Sequence, residues 1–127
     1  MKALRVLVVE DEAIIAMLFA DVLEAMGYDV CAVESTAAGA VAAAARCKPD
    51  LMIVDANLRG GSGVCAVAEI LRGGFIPHLF VSGNPLRDLS LEKGAIMIQK
   101  PFVESDLVRA IQRALSASKM PNTIVVP

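Results

Sequence analysis

Four apolar runs in this chain each stop at polar residues able to do chemistry. LRVLVV (4–9) ends at Glu10 and Asp11, DLMIV (50–54) at Asp55, HLFV (78–81) at Ser82 and AIMIQ (95–99) at Lys100. The runs are apolar nearly throughout instead of alternating, as expected for strands of a parallel sheet covered on both faces. Parallel strands end along a common edge, where open α/β sheets hold their ligands. Three acids, a hydroxyl and an amine in that cleft suit a divalent cation and a phosphoryl group.

Segments of helical character separate the runs. Residues 13–26 carry Ile14, Ile15, Leu18, Val22 and Leu23 at helical spacing, which predicts a buried stripe ended by Gly27. A further apolar run, 28–33, leads to Ser35 and Thr36, which can cap an alanine-rich helix over 37–46 before Pro49. The stretch 56–63, with glycines at 60, 61 and 63, reads as a loop, followed by a short helix over 64–72. Ser82-Gly83-Asn84-Pro85 predicts a turn into a weak helix reaching about Lys93, and Leu107, Val108, Ile111 and Leu115 predict the buried face of a last helix over 104–116. Strand–helix alternation of this kind gives parallel order with right-handed crossovers, hence a doubly wound, five-stranded α/β sandwich.

At 127 residues and 56% hydrophobic composition, the chain makes one ordered domain, expected over 1–118 with a short tail over 119–127. No apolar stretch nears the roughly 20 residues of a membrane helix, and MKALRVLVVEDE reads as a first strand, not a signal peptide. The net charge of −2 and the lack of a dense basic run argue against nucleic-acid binding by this domain. Cys31, Cys47 and Cys65 are odd in number, widely spaced and set in apolar surroundings, which predicts reduced, buried thiols in a cytoplasmic protein.

The acids constrain the chemistry most. Two carboxylates about 5 Å apart repel by roughly 3 kcal/mol at an effective dielectric near 20, so three in one cleft call for a cation. Oxygen ligation selects magnesium, or manganese, over zinc or copper. The single histidine, His78, starts a strand and therefore lies at the opposite edge of the sheet. Asp55 ends the central strand, where a carboxylate can attack phosphorus to form an acyl phosphate. Lys100 and Ser82 are placed to receive the phosphoryl oxygens, and Gly83 leaves the approach free of a side chain. Gly60–Gly63 is not a P-loop, because no Gly-Lys-Ser/Thr follows.

VLVVEDE (6–12), IVDANL (53–58), FVSGN (80–84) and QKPF (99–102) together resemble the receiver domain of bacterial two-component response regulators, across residues 4–117. The resemblance implies a flavodoxin-like, CheY-like fold with strand order 2-1-3-4-5. It implies that Asp55 accepts a phosphoryl group from a histidine kinase or phosphotransfer protein. It further implies that Glu10, Asp11, Asp55 and the main-chain carbonyl of Asn57 hold Mg2+. Ser82 and Lys100 match the family's phosphoryl-sensing residues, and Lys100-Pro101 matches a pair whose peptide bond is often cis. The output, to a downstream protein target, would pass through the family's helix 4–strand 5–helix 5 face, here Leu86, Leu89, Ile98, Leu107 and Ile111, which is also the face for a homodimer. Chemistry of its own would be limited to self-phosphorylation and self-dephosphorylation.

Two positions depart from the family pattern. Met97 stands where an aromatic residue usually reports phosphorylation, and Arg59 stands where the loop usually carries proline, which makes that loop basic beside the pocket. Asn57 and Asn84 occupy positions that tune self-dephosphorylation in the family. Two other functions use the same residues: an idle receiver acting as a constitutive interaction or dimerisation module, and a small aspartate-nucleophile phosphatase. The latter usually needs an acid two residues beyond the nucleophile, where this chain has Asn57.

Overall fold

The computed structural model describes residues 3–83 and 96–119. Its elements run β1 (Arg5–Val9), α1 (Ala13–Ala25), β2 (Asp29–Glu34), α2 (Ala37–Cys47), β3 (Leu51–Asp55), β4 (Asn57–Leu58), β5 (Gly61–Ser62), α3 (Gly63–Leu71), β6 (His78–Ser82), β7 (Met97–Gln99) and α4 (Glu104–Lys119). Five strands form a parallel sheet in the order β2-β1-β3-β6-β7, which is the predicted 2-1-3-4-5 arrangement with a small hairpin, β4-β5, numbered in between. The helix expected to reach Lys93, with Asn84, Leu86 and Leu89, and the tail beyond Lys119 lie outside the described residues.

The two-sided apolar runs have a direct structural cause. Pleating sends Val6, Val8, Leu51, Ile53, Leu79 and Val81 to one face, against Phe19 and Leu23 of α1 and Leu107, Ala110, Ile111 and Ala114 of α4. Leu7, Val9, Met52, Val54 and Phe80 point the other way, against Ala40, Ala43 and Ala44 of α2 and Ala66, Val67 and Ile70 of α3. β3 is buried at all five positions, so Asp55 ends the best-covered strand of the sheet. Among the described residues, no helix is long and apolar enough to cross a membrane.

Several expectations need correction. Ile14 and Leu18, expected in the buried stripe of α1, are 83% and 56% exposed; Leu23 is buried as expected, Ile15 and Val22 pack partly against the core, and Ala16 and Phe19 complete the buried face. Thr36 caps α2 as expected, its hydroxyl accepting from the Gly39 N–H at 2.9 Å. The stretch 56–63 contains the antiparallel pairs Asn57↔Ser62 and Leu58↔Gly61, so it is a hairpin and not an unpaired loop. Cys65 is exposed, Cys31 is half-buried and only Cys47 is buried, which corrects the expectation of three buried thiols.

Candidate functional site

Each expected site residue of the described segments stands at the carboxyl edge of the sheet. Glu10 follows β1, Asp55 and Ser82 close β3 and β6, and Lys100 follows β7. The Lys100 N–H donates to the Ser82 carbonyl at 2.8 Å, extending the β6–β7 ladder so that the two residues sit on adjacent strands. The Lys100–Pro101 bond is cis. Phe102 stacks on Phe19 of α1 with ring centroids 5.4 Å apart, which fastens this segment to the helix that follows the acids.

The acids form one group. Carboxylate oxygens of Glu10, Asp11 and Asp55 all lie within 4.8 Å of one another. Glu10, Asp55 and Ser82 are buried, whereas Asp11 is half-buried. Lys100 Nζ reaches into this group, 3.3 Å from Asp55 Oδ2, 3.1 Å from Glu10 Oε1 and 3.4 Å from Glu12 Oε1. The amine donates to Glu10 Oε2 at 3.4 Å, while buried Oε1, 3.1 Å from Nζ, has no hydrogen-bond partner among the described residues. The main chain turns back on Asp55, with the Asn57 N–H donating to Asp55 Oδ1 at 3.0 Å.

One amine cannot balance this much negative charge. Burial, reinforced by hydrogen bonding to Asp55 and its charge, pushes the Glu10 carboxyl up to about 7, although the Glu12 N–H and Lys100 pull the other way. Burial alone would lower the Lys100 ammonium, but the hydrogen bond and charge of Glu10, followed by those of Asp55, outweigh it and hold its pKa above the ordinary lysine value. Three convergent carboxylates, one with a buried oxygen lacking a donor, fit a hard divalent cation.

Two contacts were not foreseen from the sequence. Glu12 is the N-cap residue of α1 but makes no side-chain cap hydrogen bond; its carboxylate reaches Lys100 instead. The third acid of the Glu-Asp-Glu run was the available signal for it. Arg59, noted for placing positive charge near the pocket, is tied to one particular acid. Its N–H donates to Asp11 Oδ2 at 2.8 Å and its Nε lies 3.6 Å from the same oxygen. Met97 is partly buried against the α2–α3 side of the core and pairs in register with Phe80, while His78 lies at the far end of β6, its Nδ1 2.8 Å from the Ile76 carbonyl oxygen.

A position equally specific to this arrangement is Gly63, the first residue of α3. A Cβ there would stand 1.9 Å from the Asp55 carbonyl oxygen and 2.8 Å from Val54 Cγ1. Only glycine lets the start of α3 pack this closely behind Asp55.

A model of the response regulator receiver domain matches residues 6–112. The chain is 36% identical to the transcriptional regulatory protein PdtaR of Mycobacterium tuberculosis, over 88% of this chain and 57% of that protein. It is 35% identical to the phyllosphere-induced regulator PhyR of Methylorubrum extorquens, over 89% of this chain and 44% of that one. The chain thus spans about half the length of these curated relatives. The solution structure of the receiver domain of Erythrobacter litoralis PhyR superposes with a TM-score of 0.86 at 32% identity, covering 95% of this chain and 96% of that domain.

Proposed function

The chain belongs to the family of response regulator receiver domains, and on that footing we propose that it is a phosphorylation-controlled binding module with Asp55 as the phosphoacceptor. The observation that carries this reading is Asp55 itself, at the end of the fully buried central strand, with Lys100 Nζ 3.3 Å from Oδ2 and two further carboxylates alongside. The Asp55 carboxylate oxygen attacks phosphorus, a new O–P bond forms, and the bond from phosphorus to the donor nitrogen breaks. The electron pair leaves with the imidazole of a phosphohistidine on a histidine kinase or phosphotransfer protein.

Glu10, Asp11, Asp55 and the main-chain carbonyl of Asn57 would hold Mg2+, which neutralises charge on the transferring group when bound. Lys100 then exchanges its carboxylate partners for a phosphoryl oxygen, and Ser82 on the neighbouring strand supplies a hydroxyl donor. Because β6 and β7 are joined at Ser82 and Lys100, drawing both toward the phosphoryl group moves the β7–α4 side of the fold together. That movement is the output read by a protein partner or by a second copy.

Incubation with acetyl phosphate and Mg2+, followed by intact-mass measurement, tests the reading. One phosphoryl group per wild-type chain and none on Asp55→Asn is the expected result. No uptake by the wild type, or full uptake by the variant, would overturn it.

A further inference from the structure

Arg59 is the one cationic side chain among the described residues paired with Asp11, and the hairpin geometry accounts for its position. Arg59 and Gly60 form the two-residue turn between β4 and β5, and Gly60 takes φ +74, a conformation that suits glycine at the second turn position. The turn aims the Arg59 N–H at Asp11 Oδ2, and the guanidinium lies beside the same oxygen. The Asp11 side chain is 10% exposed and that of Arg59 82%, so the guanidinium is solvated, lightly held and able to leave.

Resting on the proposed function, we propose that Arg59 is an exchangeable counter-charge that neutralises Asp11 in the cation-free site, is displaced when a divalent cation takes that carboxylate, and then meets the phosphoryl oxygens of the donor. The positive guanidinium beside Asp11 opposes a cation at that carboxylate, so the metal binds there more favourably once this mobile partner leaves. The backbone N–H is fixed by the hairpin, so the guanidinium is the part that yields. Once free, it stands at the mouth of the cleft, where its planar fork suits a dianionic phosphoryl group. Lys100 marks the inner side of the same cleft, and Arg59 supplies a second cation at the outer side.

The test uses isothermal titration of Mg2+ into the wild type, Arg59→Ala and Arg72→Ala. Arg72 is an equally charged control that pairs with Glu69 at the far end of α3, about 13 Å along the helix from Gly63. Arg59→Ala should bind Mg2+ roughly threefold more tightly, the scale of one exposed ion pair, with Arg72→Ala unchanged. At saturating Mg2+, Arg59→Ala should then load from acetyl phosphate several-fold more slowly than the wild type. Unchanged Mg2+ affinity in Arg59→Ala, or an equal shift in Arg72→Ala, would overturn the exchange at Asp11. Undiminished loading would overturn the donor contact. A wild type that binds Mg2+ but never takes up phosphoryl would sink the role of Asp55 and the donor contact, while the calorimetry would still decide the competition at Asp11.

Discussion

Lys100 Nζ lies 3.3 Å from Asp55 Oδ2, at the meeting point of two strands separated by β6 in the sheet and by 45 residues in sequence. The same amine contacts Glu10 and Glu12, so a single lysine is shared among three carboxylates and leaves their charge only partly offset.

Removing that amine exposes the imbalance. Lys100→Ala is expected to lower stability by about 1–3 kcal/mol in chelator at neutral pH, below the range for a fully buried partner because the lysine side chain is 16% exposed. Saturating Mg2+ should recover much of the loss, since the cation answers the same charges. Urea unfolding of wild type and variant, each with and without Mg2+, measures both effects. Equal losses with and without the metal would contradict the shared-charge account.

The raised Glu10 carboxyl sets a pH dependence with a definite sign. Between the ordinary value near 4.5 and about 7, the folded chain holds more protons than the unfolded chain, so cation-free stability falls as pH rises through that window. The loss across it is about 3 kcal/mol at most. Glu10→Gln should flatten the profile in chelator. Mg2+ binding near pH 6 should release a fraction of a proton, visible as a calorimetric heat that varies with buffer ionisation enthalpy.

Gly63 ties the backbone of α3 to the phosphoacceptor strand. Gly63→Ala forces a Cβ into the Asp55 carbonyl and should destabilise the fold by more than 2 kcal/mol, far above the change expected from overpacking alone at an open position. Gly83→Ala is the matched control, because a Cβ there meets no atom of the described residues within 4 Å and should leave stability within about 0.5 kcal/mol.

Thr36 separates stability from chemistry. Its hydroxyl caps α2 from the side of the sheet opposite α1 and α4, so Thr36→Ala should lose about 1 kcal/mol in thermal or urea unfolding. Mg2+ affinity should be unaltered, because the capping hydrogen bond runs to Gly39 and not to Glu10, Asp11 or Asp55.

The sheet order and the convergence at its carboxyl edge were legible because both follow from long-range rules: apolar runs buried on two faces, each stopped by polar residues at the same end. Finer features were not. Ile14 and Leu18 are as apolar as Phe19 and Leu23, and a helix apolar on most sides gives periodicity no means of choosing the buried face. The β4–β5 hairpin has two residues per strand, too few for alternation to register. Glu12 and Arg59 were visible as charges, but their partners are 88 and 48 residues away in sequence, respectively, and only the closed fold reveals those pairings.

Glu12 occupies the capping position of α1 yet directs its carboxylate to Lys100, so its side chain does not cap the opening amides of that helix. Were Lys100 to turn to a phosphoryl oxygen as proposed, this carboxylate would be free to swing back over the same amides and toward the positive pole of the helix. Charging the site would then tighten the first turn of α1, and slower amide exchange at its start is the expected local signature of occupancy, remote from the β7–α4 side.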